Sequence, residues 1–210
     1  MIFYSIANLS LVCYFGFFRL KPSKVLQNQF MRPAYFVFFA LVASHIGAFA
    51  AADDPQANSF INIYTSTCIK HLSNLDELRS KLHALPKLPP EKATAFLNGA
   101  PGNAWPVPDK FGTFVIAIPD NKNLCSVYAR RLDSISAEER FAKIVSKSPA
   151  PLIARAVQDT RSSTQKNGQT HTVSYEWAVP NAQRKMLFTL TTANSESADI
   201  QGLATAAYVQ

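Results

Sequence analysis

Along residues 60–82 apolar side chains recur at intervals of mostly three and four, at Ile61, Tyr64, Cys68, Leu72, Leu75, Leu78 and Leu82. That spacing lines one face of a helix. Ser73-Asn74-Leu75-Asp76 carries a helix-start signature, a Ser with an acid three residues on, so the region reads as two helices with a break near Ser73. Pro89-Pro90-Glu91 and Asn98-Gly99 bracket a further short helix, because Pro fits the first helical turn and Gly the left-handed exit. Residues 99–112, GAPGNAWPVPDKFG, are rich in Pro and Gly and read as a loop. Its Trp105 either packs on the core as part of a lid or belongs to a binding surface.

The period then changes to two. Residues 111–118 and 124–131 are strand-like and are joined by the turn composition Pro119-Asp120-Asn121-Lys122-Asn123. Alternation puts Cys125, Val127 and Ala129 on one face and Ser126, Tyr128 and Arg130 on the other. Ser136-Ala137-Glu138-Glu139 reads as a capping box that opens a helix to about residue 146, with Phe141, Ile144 and Val145 inward. Residues 152–160, 170–178 and 185–192 form a meander of strands, in which Tyr175 and Trp177 share the core side. Residues 198–209 read as a short helix or a terminal strand. The predicted class is α+β: an antiparallel sheet of about five strands with helices packed on one face, in the order ααββαβββ plus a C-terminal element.

Ahead of this pattern lie two apolar runs. Residues 31–50, MRPAYFVFFALVASHIGAFA, combine a positive end at Arg32, an apolar run and the small-x-small sequence Ala48-Phe49-Ala50, the plan of a secretory signal peptide. Residues 1–30 then read as an extension ahead of the true start at Met31. Alternatively the chain keeps one or two membrane anchors, although each run is short beside the ~20 residues a spanning helix needs. Cleavage after Ala50 leaves residues 51–210, a length suited to one domain with a short disordered N-terminus. Export implies a periplasmic location, with membrane contact only if the apolar segments are retained.

Charge and cysteine count change with that cut. The chain holds 21 Lys and Arg against 14 Asp and Glu, but four of the basic groups (Arg19, Lys21, Lys24, Arg32) precede residue 51, which leaves +3 for the rest. A charge of that size spread along the chain gives no support for a nucleic-acid partner. Removing the leader also removes Cys13, and the remaining pair, Cys68 and Cys125, reads as a disulfide in an oxidising compartment.

The sequence contains no nucleophile elbow, phosphate-binding Gly loop, HExxH or dinucleotide fingerprint, so no catalytic residue, cofactor or metal site is assigned. His71, His83 and His171 fall in no recognised motif. Cys68 and His71, three apart on one helix face, are the alternative chemistry, a small hydrolase or thiol enzyme, which requires a free thiol. Trp, Tyr and Arg dominate interface hot spots. The candidate interaction surface is therefore Trp105, Arg130 and Arg131, although alternation points the two arginines to opposite faces.

The segments Cys68-Ile69-Lys70-His71-Leu72, Leu124-Cys125-Ser126-Val127-Tyr128-Ala129-Arg130-Arg131, residues 170–178 and Leu187-Phe188-Thr189-Leu190-Thr191-Thr192 resemble a group of small proteobacterial periplasmic proteins and lipoproteins with no assigned activity. The resemblance covers roughly residues 60–210. It implies compartment and fold and brings no catalytic residues; the lipid-attachment Cys of such proteins is absent at the expected cut site. Size, export and a bracing disulfide lead to the expectation of a protein that binds a protein partner in the cell envelope. Its sharpest form is an immunity protein that neutralises an envelope-targeting toxin. An envelope-stress structural component is the remaining alternative.

Overall fold

A computed structural model describes residues 54–210. The readings made on residues 1–50, the start site, the leader and the anchors, lie outside the described residues. Asp54 accepts a hydrogen bond from the Gln56 N–H and Pro55 follows it, so α1 (Pro55–Tyr64) begins at the first described residues. The polar stretch that follows the expected cut is thus helical from Pro55 onward. Ala57, Phe60, Ile61 and Tyr64 form its buried stripe.

Helix α1 runs on into a π-helical turn, Thr65–Ile69, whose buried residue is Cys68. The Thr65, Ser66 and Thr67 hydroxyls donate back to the carbonyls of Ile61, Asn62 and Ile63 at 2.9, 2.7 and 2.5 Å. Three such bonds in succession compete with the regular helical ladder and accompany its widening here. Helix α2 (Leu75–Leu82) is capped by Asn74, whose side-chain oxygen accepts from Glu77 N, so the break lies one residue beyond Ser73. Helix α3 (Pro90–Leu97) ends as expected, at Asn98 and Gly99 in left-handed conformation.

Residues expected as a loop contain strand β1 (Gly102–Val107), paired antiparallel with β2 (Thr113–Pro119). Pro106 conceals that strand in the sequence, but β1 is the sheet edge, where a missing N–H is tolerated. A Cβ on Gly102 would stand 2.6 Å from the Ile118 carbonyl oxygen, so glycine is needed for the close approach. Strand β3 (Leu124–Arg130) follows. Helix α4 (Ser134–Val145) is capped by Asp133, which accepts from Ser136 N, and Ser136 therefore lies inside the helix rather than opening it.

Strands β4 (Ile153–Thr164), β5 (Gly168–Ala178) and β6 (Lys185–Ala193) are the meander, and β7 (Gly202–Val209) resolves the C-terminal element as a strand. The sheet order is β1-β2-β3-β7-β6-β5-β4, antiparallel throughout, with seven strands rather than about five. The last strand thus seals β1–β3 to β4–β6. The α+β class holds.

The helices occupy both faces, which corrects the one-sided arrangement. Phe114, Ile116 and Ile118 of β2 face a core shared with α1, α2 and α4, while Val115 and Ala117 face Ala93 and Leu97 of α3. Strand β2 is apolar on both sides because both sides are covered. At the centre of the main core, the Tyr64 hydroxyl donates to the Thr205 carbonyl at 2.7 Å, and burial pushes its pKa well above the usual phenol range. Trp177 donates from Nε1 to the Val145 carbonyl at 2.6 Å, closing the C-terminal end of α4 against β5.

Candidate functional site

Cys68 and Cys125 are joined by a disulfide, with Cα atoms 5.3 Å apart and neither residue exposed. The bond ties the π-helical turn to β3. His71, also buried, places Nδ1 3.5 Å from Glu77 and Nε2 3.5 Å from Lys81, while Lys81 and Glu77 pair at 2.7 Å. Both His71 nitrogens face charged groups of α2, and the Cys68 sulfur is committed to Cys125. A thiol mechanism on this pair therefore has no nucleophile to use.

Trp105 is 1 % exposed, so it leaves the candidate interaction surface for the main core. Its position on a strand explains this: Ala104 faces the α3 cluster and Trp105 the opposite side. Arg130 and Arg131, in contrast, are both exposed and line one cavity of about 560 Å³ with Gln56, Phe111, Gly112 and Thr113. Alternation separates them only while the strand lasts. Arg131 lies beyond the end of β3 at φ 62°, and that left-handed turn brings it to the cavity that Arg130 also lines.

The cavity wall is held from both sides. Gln56 of α1 donates through Nε2 to the Arg130 carbonyl at 2.7 Å. Asp109 accepts from Phe111 N at 2.7 Å, which shapes the approach to β2. Phe111 is 45 % exposed, and Lys110 stands 4.6 Å from its ring centroid. Among the described residues no carboxylate pairs with Arg130 or Arg131. An exposed aromatic ring with three cations beside it suits an acidic partner.

A second polar site was not legible from the sequence. His171 of β5 places Nδ1 2.9 Å from Glu138 of α4 and Nε2 2.9 Å from Asp159 of β4. Thr192, opposite His171 on β6, donates to the other Glu138 oxygen. With a carboxylate at each nitrogen the ring is favoured as imidazolium, and its pKa is raised, first by the Asp159 hydrogen bond and then by Glu138, against burial and the facing Arg161. The carboxylates sit at opposite ends of the ring and do not converge on one point. Among the described residues no group of His, Cys, Asp and Glu is placed to hold a metal ion.

The sign of the pH dependence follows. Because the folded-state pKa lies above the unfolded value of about 6.5, the stability contributed by this network is complete below about pH 6.5 and is lost as pH rises through the folded-state pKa. Asp159 is 78 % exposed, so water screens its share, and Asp159→Asn is expected to cost at most about 1 kcal/mol. NMR titration of the His171 ring checks this: Asp159→Asn should lower its pKa, and an unchanged titration would remove Asp159 as the main cause.

No helix among the described residues is long and apolar enough to cross a membrane. Comparison with protein-family models, curated proteins and solved structures finds no match to this chain.

Proposed function

We propose that this is an exported periplasmic protein that acts by binding an acidic protein partner in the cell envelope, through the surface around Arg130, Arg131, Lys110 and Phe111. The observation that carries the reading is the convergence of two arginines on one open cavity, beside an exposed ring and without a described carboxylate partner. Unpaired surface cations of this kind steer and select partners more than they add to fold stability. The leader at residues 31–50 and the pairing of Cys68 with Cys125 support export. Neutralisation of an envelope-targeting toxin is the form of binding that fits a small braced domain.

The test is retention of envelope proteins by the purified chain at low and high salt. Arg130→Glu combined with Arg131→Glu should reduce the retained partner by at least about tenfold, as should raised salt. Lys143→Glu, an exposed change on α4, should leave retention unchanged. Equal retention by the double variant and the parent would overturn the proposal.

A further inference from the structure

On the face opposite the disulfide, α3 covers only part of the sheet. Between α3, β2, β3 and the segment leading into β7 lies an open groove of about 330 Å³, within the roughly 300–1,000 Å³ of small-molecule sites. Its walls are apolar: Phe96, Val115, Tyr128 and Ile200 line it, with the exposed Ala95 at the rim. Tyr128 presents its ring because its hydroxyl is spent on the Phe96 carbonyl, to which it donates at 2.7 Å. The Phe96 and Tyr128 rings meet edge to face at 5.1 Å, which fixes the wall.

The charges at the mouth are unequal. On one side Lys166 is paired with Asp199 at 3.4 Å. On the other stands Arg130, which lines this groove as well as the cavity of the candidate interaction surface. Among the described residues lining the groove, Arg130 is the cation without a carboxylate partner. An apolar trough with one available guanidinium matches a ligand with an apolar tail and a single negative charge. A guanidinium receives a planar carboxylate with two parallel hydrogen bonds. A doubly charged phosphate monoester would leave one charge without a counterpart.

We infer that this groove binds a single-chain aliphatic monocarboxylate, with the tail against Phe96, Val115, Tyr128 and Ile200 and the carboxylate on Arg130. The groove shares Arg130 and Thr113 with the protein-binding surface, but the apolar wall that takes the tail, Phe96, Val115, Tyr128 and Ile200, lies outside that surface, so the carboxylate can bind here even if no protein docks at Phe111 and Arg131.

Decanoate and decanol, which differ in the charged head, are the probes, titrated into the purified chain and followed by chemical-shift changes of Tyr128 and Ile200. Decanoate should bind saturably at one site, at least about tenfold tighter than decanol, because a charge-assisted contact is made only by the acid. Arg130→Gln should abolish that preference. Ala95→Glu, an exposed helical position that tolerates the change, should weaken decanoate at least about tenfold and decanol much less. Arg131→Gln should leave decanoate binding intact, which separates this site from the protein-binding surface. Equal affinity for acid and alcohol, a preference that survives Arg130→Gln, or no saturable binding would overturn the inference.

Discussion

Replacing Cys68 and Cys125 together by Ala is expected to lower the free energy of unfolding by about 4 kcal/mol and the melting temperature by about 8–16 °C. The two residues are 57 apart in sequence, so the bond removes a long closed loop from the conformations open to the unfolded chain. It also crosses an important junction. One end sits in the π-helical turn that follows α1, and the other in β3, which pairs with both β2 and β7. Alanine is the right replacement because both sulfurs are fully buried and a hydroxyl would add an unsatisfied polar group. Urea unfolding should show a lower midpoint and a steeper dependence on denaturant, since the uncrosslinked chain unfolds to a more expanded state. The parent protein in reductant should approach the variant. A loss below about 1 kcal/mol would mean that the bond contributes little beyond its local packing.

The parts of the fold that were legible in the sequence are those where one covalent period meets one buried face. The stripe from Ile61 to Leu82 and the alternation of Cys125, Val127 and Ala129 both point into the main core, and the cysteines they carry meet there. Strand β1 was hidden because Gly102 and Pro106 are punctuation in most contexts, and only the pairing with β2 makes an edge strand of them. Strand β7 is ambiguous in the sequence because Ala204 and Ala206 favour helix while the interleaved Thr205 favours strand; the small size of the alanines suits a position between larger neighbours in the centre of the sheet.

The sites divide in the same way. Arg130 and Arg131 were visible as residues, but their convergence depends on a single left-handed φ at Arg131 that alternation does not encode. The His171 network draws on α4, β4, β5 and β6, with His171 and Glu138 separated by 33 positions. With Ser136 as the cap, Glu139 would be the acid of the box and Glu138 would stand in the first turn. With Asp133 serving as the cap, Glu138 lies a full turn into the helix and is available to the sheet. Such sites follow from register, which is fixed by the whole sheet rather than by any segment of it.

Phe188→Ala is the second large effect expected, a loss of about 3–5 kcal/mol. Phe188 is fully buried on β6, its ring centroid 4.5 Å from that of Trp177 in an edge-to-face arrangement. Register places it in one row across the sheet with Cys125, Ala206 and Tyr175. The neighbour on β7 is thus a methyl group, too short to fill the space that the ring would vacate. The strands on either side are held by ladder hydrogen bonds, so the backbone cannot close the gap either. Phe188→Leu, which removes less volume, should cost about 1–2 kcal/mol. Against a typical total of about 5–15 kcal/mol, the alanine variant loses a large share of the folded state's margin. Equilibrium unfolding of the parent and both variants decides the matter. If the alanine and leucine variants lose equal stability, the site relaxes on truncation, and the small residues of β7 are not what makes Phe188 irreplaceable.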